Sequence, residues 1–449
     1  MVKVFLIEPP ISVREYQKDH ETKYTIWSPP LWGLALSSFL KRHIPKVYIK
    51  LLDGQLKSFS EIKHQILEEV PDIVGISPKQ KNYERVLKLA RIAKKAGVKI
   101  VIGGPYADSL AKEIIQKRGP HSSDYCIDAV VKGDGEKAFF EYIAGKPLEK
   151  INNLVYQGNY GIKENYKELL DLKKLPPLDF GLVDLNDYIH DYQRRYPHLQ
   201  ERRILRIYTQ KGCYWRKINK KGCIFCSLSS GPIRTRDTRI IWNELNGVID
   251  KYGINSVKDI SDQALEDKKW FDDFYRGAKT NSYTLPNFSL TLKAGFFDEI
   301  IVKKMSEINI NYVTLGVESA SRKILERINT GTTPPLILKA IKMLAKYGIK
   351  MSLRFLVGAP GESKETLNTT INFAKMVSRI KEVDRFVANG FVPIPNSPSW
   401  DLFLSKTGDK YKNKDILDPI QLQLDWIKYF CAVSEKILAH TANAINQIK

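Results

Sequence analysis

The chain has 449 residues, 43% hydrophobic and 27% charged, a globular composition that leaves no large disordered share. That length exceeds what one hydrophobic core usually organises, so two domains, or a barrel with additions, are expected. A formal net charge of +21 favours an anionic partner, but no basic run is interleaved with aromatics in a recognisable nucleic-acid module, so nucleic acid is not favoured.

The opening MVKVFLIEPP carries one lysine and an apolar run too short for a signal peptide, and it reads as a first strand. The longest apolar stretch, Leu31 to Leu40, falls well short of the roughly 20 residues a bilayer crossing needs. A cytoplasmic protein without a membrane span is therefore expected. KVFLIE, LWGLALSSFLKR, VYIKLLD, FSEIKHQILEE, DIVGIS, YERVLKLARIAKKAG, KIVIGG and AVVKG alternate strand and helix patterns across residues 1–148. Such alternation predicts an α/β domain, a Rossmann-like doubly wound parallel sheet whose ligands sit beyond the carboxyl ends of its strands. The informative residues there are Pro9, Pro10, Asp53, Gly54, Ser77, Gly103, Gly104 and Gly133 to Glu136.

Residues 149–203 hold a short strand at NLVYQ, then proline-bearing and tyrosine-rich stretches, and read as a linker or interface region. Alternation resumes over 204–390 with ILRIYTQ, SVKDIS, YTLPNFSLTLKA, YVTLGVE, KMSLRFLVGAP and DRFVANGFVP. These units suit a partial or complete β/α barrel, working at its C-terminal strand ends. Residues 391–449, including PIPNSPSW, are expected to form a small C-terminal extension shaping the substrate pocket.

Of the five cysteines, Cys213, Cys223 and Cys226 crowd into fourteen positions directly after ILRIYTQ, while Cys126 and Cys431 stand apart. An odd count in a chain without an export signal points to metal or redox chemistry rather than disulfides. A four-iron cluster takes one ligand per iron, so three thiolates leave one iron open to a further ligand. A structural zinc site would want a fourth ligand, supplied by one of seven scattered histidines, Cys126 or Cys431. No histidine lies near the three in sequence.

The cysteine segment resembles the radical S-adenosylmethionine (SAM) superfamily, whose usual loop is Cys-x3-Cys-x2-Cys with an aromatic before the last cysteine, as Phe225 is here. The resemblance implies a 4Fe–4S cluster on Cys213, Cys223 and Cys226, with SAM on the open iron. The departure is a gap of nine residues between Cys213 and Cys223, a spacing also found in the Elongator catalytic subunit family. Arg216, Lys217, Lys220 and Lys221 in that insert read either as a solvated loop or as contacts to an anionic substrate. TLGVESASRKILERINTGTT, with Glu318, resembles the stretch that lines SAM in this superfamily, and RFLVGAPGESKETL, with Arg354, the later strand at the adenosine end. Alone, GAPGE would read as a strand-to-helix turn. Asp262 after VKDIS and Lys293 in SLTLKA are further candidates for polar contact with SAM, each equally readable as an ordinary strand-end residue. The chemistry implied is one-electron cleavage of SAM to a 5′-deoxyadenosyl radical, which removes a hydrogen atom from substrate.

Ser28–Leu40, Leu51–Gly54, Asp72–Ser77, Lys99–Ala107 and Val130–Ile143 resemble, in order, the cobalamin-binding domain fused ahead of some radical SAM barrels. Asp53, Ser77, Gly103, Gly104, Pro105 and Gly133 are the implied cobalamin contacts; a ligand-free domain with tight turns is the plainer reading. No histidine has Asp two residues before it and Gly three after, so no histidine–cobalt bond is expected. The function implied is methylation of an unactivated centre by a cobalamin-dependent radical SAM enzyme. Ring formation or rearrangement, tRNA modification, and non-enzymatic sensing of cobalamin or SAM are the alternatives. An electron donor such as flavodoxin or ferredoxin is the expected partner, and an anionic substrate is one candidate class.

Overall fold

Fifteen strands organise the described residues, 1–11, 28–199, 201–227, 231–265, 267–281 and 284–448 of a computed structural model. They fall into two units, Met1–Ile204 with Gly247–Gly253 and Asn413–Leu417, and Leu205–Asn246 with Ile254–Lys412 and Asp418–Lys449.

The first unit is built on β1 (Val2–Glu8), β2 (Val47–Asp53), β3 (Ile73–Ile76), β4 (Lys99–Ile102), β5 (Ala129–Val131), β6 (Leu154–Gly158) and β7 (Gly161–Glu164), in the order β2-β1-β3-β4-β5-β6-β7. The first five are mutually parallel, and β6 and β7 join antiparallel. Residues 149–203 thus lengthen this sheet, the chain turning back between Gly158 and Gly161. Strand order reverses at β1, and right-handed crossovers from that point wind helices onto both faces. The core is aliphatic and aromatic, with Val4, Leu6, Leu40, Ile73, Val101 and Phe139 buried together. Helix Phe59–Glu69 starts at a reciprocal Ser58–Glu61 capping box.

The second unit opens with β8 (Ile204–Ile207) and the short antiparallel pair β9 (Gln210–Lys211) and β10 (Arg234–Thr235). It continues through β11 (Ser256–Asp259), β12 (Asn287–Lys293), β13 (Ile310–Glu318), β14 (Lys350–Val357) and β15 (Val383–Gly390). Apart from the β9–β10 pair these form a six-stranded sheet in sequential order, β15-β14-β13-β12-β11-β8, the layout of a partial β/α barrel. Between strands, helices Lys268–Lys279, Glu299–Glu307 and Lys364–Val377 each start at a side-chain cap, from Asp267, Asp298 and Ser363. Strand β12 buries alternate residues: Phe288, Leu290 and Leu292 are buried, whereas Ser289, Thr291 and Lys293 are half-buried. The expected YTLPNFSLTLKA strand begins only at Asn287, because Pro286 cannot donate to a ladder. Among the described residues no helix is long and apolar enough to cross a membrane.

Candidate functional site

The cysteine loop lies at the carboxyl end of the second unit's strands, and other strand ends hold it. Gly212 N donates to Asp262 Oδ2 at 2.8 Å, just past β11, and the Cys213 thiol donates to Gln263 Oε1 at 3.0 Å. Lys293, the last residue of β12, places its ammonium 3.5 Å from Cys223 Sγ and over the rings of Trp215 and Phe296. Burial pushes the Cys223 thiol up to about 11, and Lys293 opposes that rise. Cys226 N donates to Cys223 O, closing the turn that carries Phe225.

The nine-residue insert is pinned to the barrel. Residues Tyr214–Ile218 form a short helix, Trp215 Nε1 donates to Asn329 O at 2.8 Å, and Asn329 Nδ2 donates to Gly222 O at 2.6 Å. Arg216 donates to Cys226 O, while Lys217, Lys220 and Lys221 are exposed. At the loop's middle, Ile224 N reaches Ile328 O, and Ser399 N, from the PIPNSPSW stretch, reaches Ile224 O at 2.9 Å.

Glu318 ends β13 with a left-handed backbone, φ 61, immediately after a register shift that pairs Gly316 with Arg354 but Glu318 with Phe355. Such a bulge re-aims a side chain, and a non-glycine residue held there marks a functional position. A Cβ on Gly316 would lie 2.8 Å from Glu318 Oε1, so glycine is what lets this carboxylate fold back. Burial pushes Glu318 up to about 7, against the pull of Lys293 and Arg354. Of the five expected SAM contacts, Asp262 and Lys293 touch the cysteine loop, Phe225 lies in it, and Glu318 and Arg354 lie on neighbouring strands, Arg354 in register with Gly316.

Two buried side chains there have polar atoms without a hydrogen-bond partner: both amide atoms of Gln210 and the Nε2 of Gln263. An unmet donor on Gln263, whose Oε1 meets Cys213, and the unmet amide of Gln210 on the strand before the loop suit a polar group bound nearby. Among the described residues no cluster of His, Cys, Asp or Glu is gathered as a single-ion site. A cluster with one thiolate per iron spaces its ligands more widely than one ion does. Cys126 is buried in the first unit, and the Cys431 thiol donates to Gly358 O at 3.3 Å, its acidity suppressed to about 12 by burial. Gln210, Gln263, Asn329 and Ser399 went unnoticed in the sequence, where neutral amides and hydroxyls carry no spacing signal.

In the first unit, Ser77 follows β3, Gly103 and Gly104 follow β4, Pro105 begins helix Pro105–Ser109, and Gly133 follows β5. Gly104 has φ 91, and a Cβ there would stand 2.6 Å from Ser77 Oγ, so only glycine lets these two strand ends meet. The buried Ser28 hydroxyl and Gln55 Oε1 have no hydrogen-bond partner. Glycine turns and neutral unmet polar atoms, without a cluster of ligating side chains, fit a flat macrocycle better than a small ion. Asp53 already has protein partners: Gln55 donates to both its oxygens and Tyr188 OH to Oδ2 at 3.0 Å.

Residues 207–374 match the radical SAM superfamily, and residues 26–143 match the B12 binding domain. A protein of Pyrococcus horikoshii described as an uncharacterized methyltransferase is 27% identical over 414 residues, covering 89% of this chain and 81% of that one. The fold resembles the cobalamin-dependent SAM radical enzyme OxsB with aqua-cobalamin and SAM bound, at TM-score 0.73 and 15% identity, over 92% of this chain and 63% of that one. The radical SAM methyltransferase TsrM of Kitasatospora setae, with cobalamin and a 4Fe–4S cluster bound, matches at TM-score 0.71 and 15% identity, over 96% of this chain and 81% of that one.

Proposed function

The chain belongs to the radical SAM enzymes that carry a cobalamin-binding domain, and from that premise we propose that it methylates an unactivated carbon or similar centre. The cofactors of this class are a 4Fe–4S cluster, SAM and cobalamin. When bound, they supply one-electron cleavage of SAM, hydrogen-atom abstraction and a transferable methyl group. The observation that carries the reading is the three-cysteine loop at one set of strand ends, held by Asp262, Gln263 and Lys293 and flanked by the strained Glu318. The methyltransferase description of the Pyrococcus relative favours methyl transfer over ring formation.

In this reading Cys213, Cys223 and Cys226 hold three irons as thiolates, and the Lys293 ammonium beside Cys223 favours the deprotonated form that metal binding requires. Glu318, Arg354, Asp262 and Lys293 are the polar residues that would hold SAM beside the cysteine loop, with Phe225 next to the last ligand. The pinned insert closes one side of the loop and helps to keep water and oxygen out. Ser77, Gly103, Gly104, Pro105 and Gly133 would form the edge that holds cobalamin, and Asp53 ties down a strand end of the same sheet through Gln55 and Tyr188. An oxygen-sensitive cluster suits the reducing cytoplasm, with flavodoxin or ferredoxin as electron donor.

The test is anaerobic reconstitution with iron, sulfide and methylcobalamin, then incubation with reductant, trideuteromethyl-labelled SAM and extract of the source organism. The expected result is 5′-deoxyadenosine together with a product heavier by the labelled methyl group. Iron without cobalt, under abundant cobalamin, would remove the methyl-transfer reading.

A further inference from the structure

Cys223 and Cys213 face polar side chains of opposite kind. Lys293 brings a permanent donor to Cys223 Sγ at 3.5 Å. At Cys213 the roles are reversed: the thiol donates to Gln263 Oε1 at 3.0 Å, while the donor end of that amide, Nε2, has no hydrogen-bond partner. Gln263 is 4% exposed, so bulk water does not serve the unmet N–H groups either.

The amide is held at the sulfur by a ladder of contacts between two strand ends. Ser261 Oγ accepts from Thr209 N and Gln210 N, Asp262 Oδ2 accepts from Gly212 N, and Gln263 meets Cys213, so Ser261–Gln263 follows Thr209–Cys213 in step. The carboxylate of Asp259 fixes the start of the ladder by accepting from Thr209 Oγ1 and Ser261 N, and Ala264 N ties its end to Thr291 O on β12. These bonds keep Gln263 beside Cys213 whatever the sulfur binds. A thiol can donate, but a sulfur that ligates iron has no proton and can only accept. With iron in the proton's place, Oε1 would face an electron-rich sulfur with nothing to accept, while two unused N–H bonds lie on the same planar group.

We propose that Gln263 turns its amide by half a turn when the cluster is loaded, so that Nε2 donates to Cys213 Sγ, and that this hydrogen bond eases reduction of the cluster. The oxygen and nitrogen ends of an amide are nearly alike in size, so the turn needs no repacking. Reduction brings one electron from the external donor, and an N–H aimed at a ligand sulfur stabilises the added charge and raises the reduction potential. Gln263 acts through Cys213 and is a positioning residue. The inference rests on the cluster assignment and is independent of methyl transfer.

Anaerobic redox titration of cluster-loaded protein without SAM, read by electron paramagnetic resonance, tests it. Gln263→Leu and Gln263→Met remove both amide atoms and should keep the iron content of the parent protein. Each should be at least tenfold harder to reduce at a given potential, a downward shift of ~59 mV or more for one electron. In protein carrying glutamine labelled with nitrogen-15 at the side-chain amide, pulsed resonance of the reduced cluster should show a nitrogen coupling that both variants lack. An unchanged or raised potential at equal iron, or a coupling that survives both substitutions, would overturn the proposal. Loss of iron from both variants would reduce Gln263 to a support for Cys213 and overturn its role in reduction. A parent protein that takes up no cluster would refute the ligand assignment and this hydrogen bond with it, whereas a full cluster without methylated product from labelled SAM would count against methyl transfer alone.

Discussion

In the first unit the charged residues at the strand ends are tied to protein partners, Glu8 to Trp32 and Lys79, and Asp53 to Tyr188 and Gln55. At the strand ends of the second, the Gln210 and Gln263 amides keep unmet polar atoms, Glu318 is held at φ 61, and Lys293 faces a thiol. The contrast separates two ways of preparing a binding site. One presents glycine turns and two neutral unmet atoms, of Ser28 and Gln55, its charges spent on holding the strands; the other presents thiols, amides and a strained carboxylate whose pairing is left to the bound groups. Sites of the second kind store polar atoms at a cost to stability, as functional sites commonly do.

The sharpest way to break this comparison is to remove the thiols. Replacing Cys213, Cys223 and Cys226 together with alanine should abolish bound iron while leaving cobalt content as in the parent protein, measured by metal analysis after anaerobic purification. Cys126→Ala and Cys431→Ala should keep their iron. A triple variant that retains a full cluster would end the assignment of these ligands.

Next in size is Gly104→Leu, which should lose most bound cobalt at unchanged iron. Its control is Gly104→Ala, since the two share the strain of φ 91 and the 2.6 Å approach to Ser77 Oγ but only leucine blocks the space above the strand ends. Equal cobalt loss in both would attribute the effect to backbone strain instead.

Much of this contrast is legible in the sequence. Four of the six barrel strands fall within a run read from residue pattern, while β13 and β15 start two residues and one residue ahead of theirs, because strands of a barrel bury apolar residues under helices; the three cysteines stand out by spacing alone. What escapes is long-range. Tyr188 meets Asp53 across 135 positions, and Trp215 meets Asn329 across 114, so no local pattern announces either. Arg236 and Glu244 look like surface charges in a polar stretch, yet they pair with their side chains 1% exposed. Trp270 Nε1 donates to Arg236 O at 2.7 Å, which seals that pair beneath the helix Lys268–Lys279.

That pair gives a third, smaller effect confined to the second unit. Glu244→Ala strands a buried guanidinium and should destabilise the protein by about 3–5 kcal/mol, whereas changing both residues to methionine should cost much less. Urea unfolding followed by tryptophan emission reads it, because Trp270 donates to the backbone of Arg236. A Glu244→Ala midpoint equal to that of the parent protein would show that the charge finds water.

The smallest effect tests whether the protein contacts of Asp53 leave it nothing to offer a ligand. Burial pushes its carboxyl from an ordinary 3.8 to about 6; the Gln55 backbone pulls the other way, and Glu8, its register partner on β1, adds to the rise. The folded protein therefore holds this proton more tightly than the unfolded chain does. The stability it contributes is fully present below pH ~4 and is lost as the pH rises through about 6, an amount of at most ~3 kcal/mol for a shift of roughly two units. Asp53→Asn keeps an oxygen for Tyr188 and Gln55 but cannot ionise. Its melting temperature relative to the parent protein should rise between pH 4.5 and pH 7, with SAM binding unchanged because the substitution lies in the other unit. Parallel curves for the two proteins would mean that the Asp53 charge is compensated in the folded state, and that the first unit, like the second, leaves a strand-end carboxylate for its ligand.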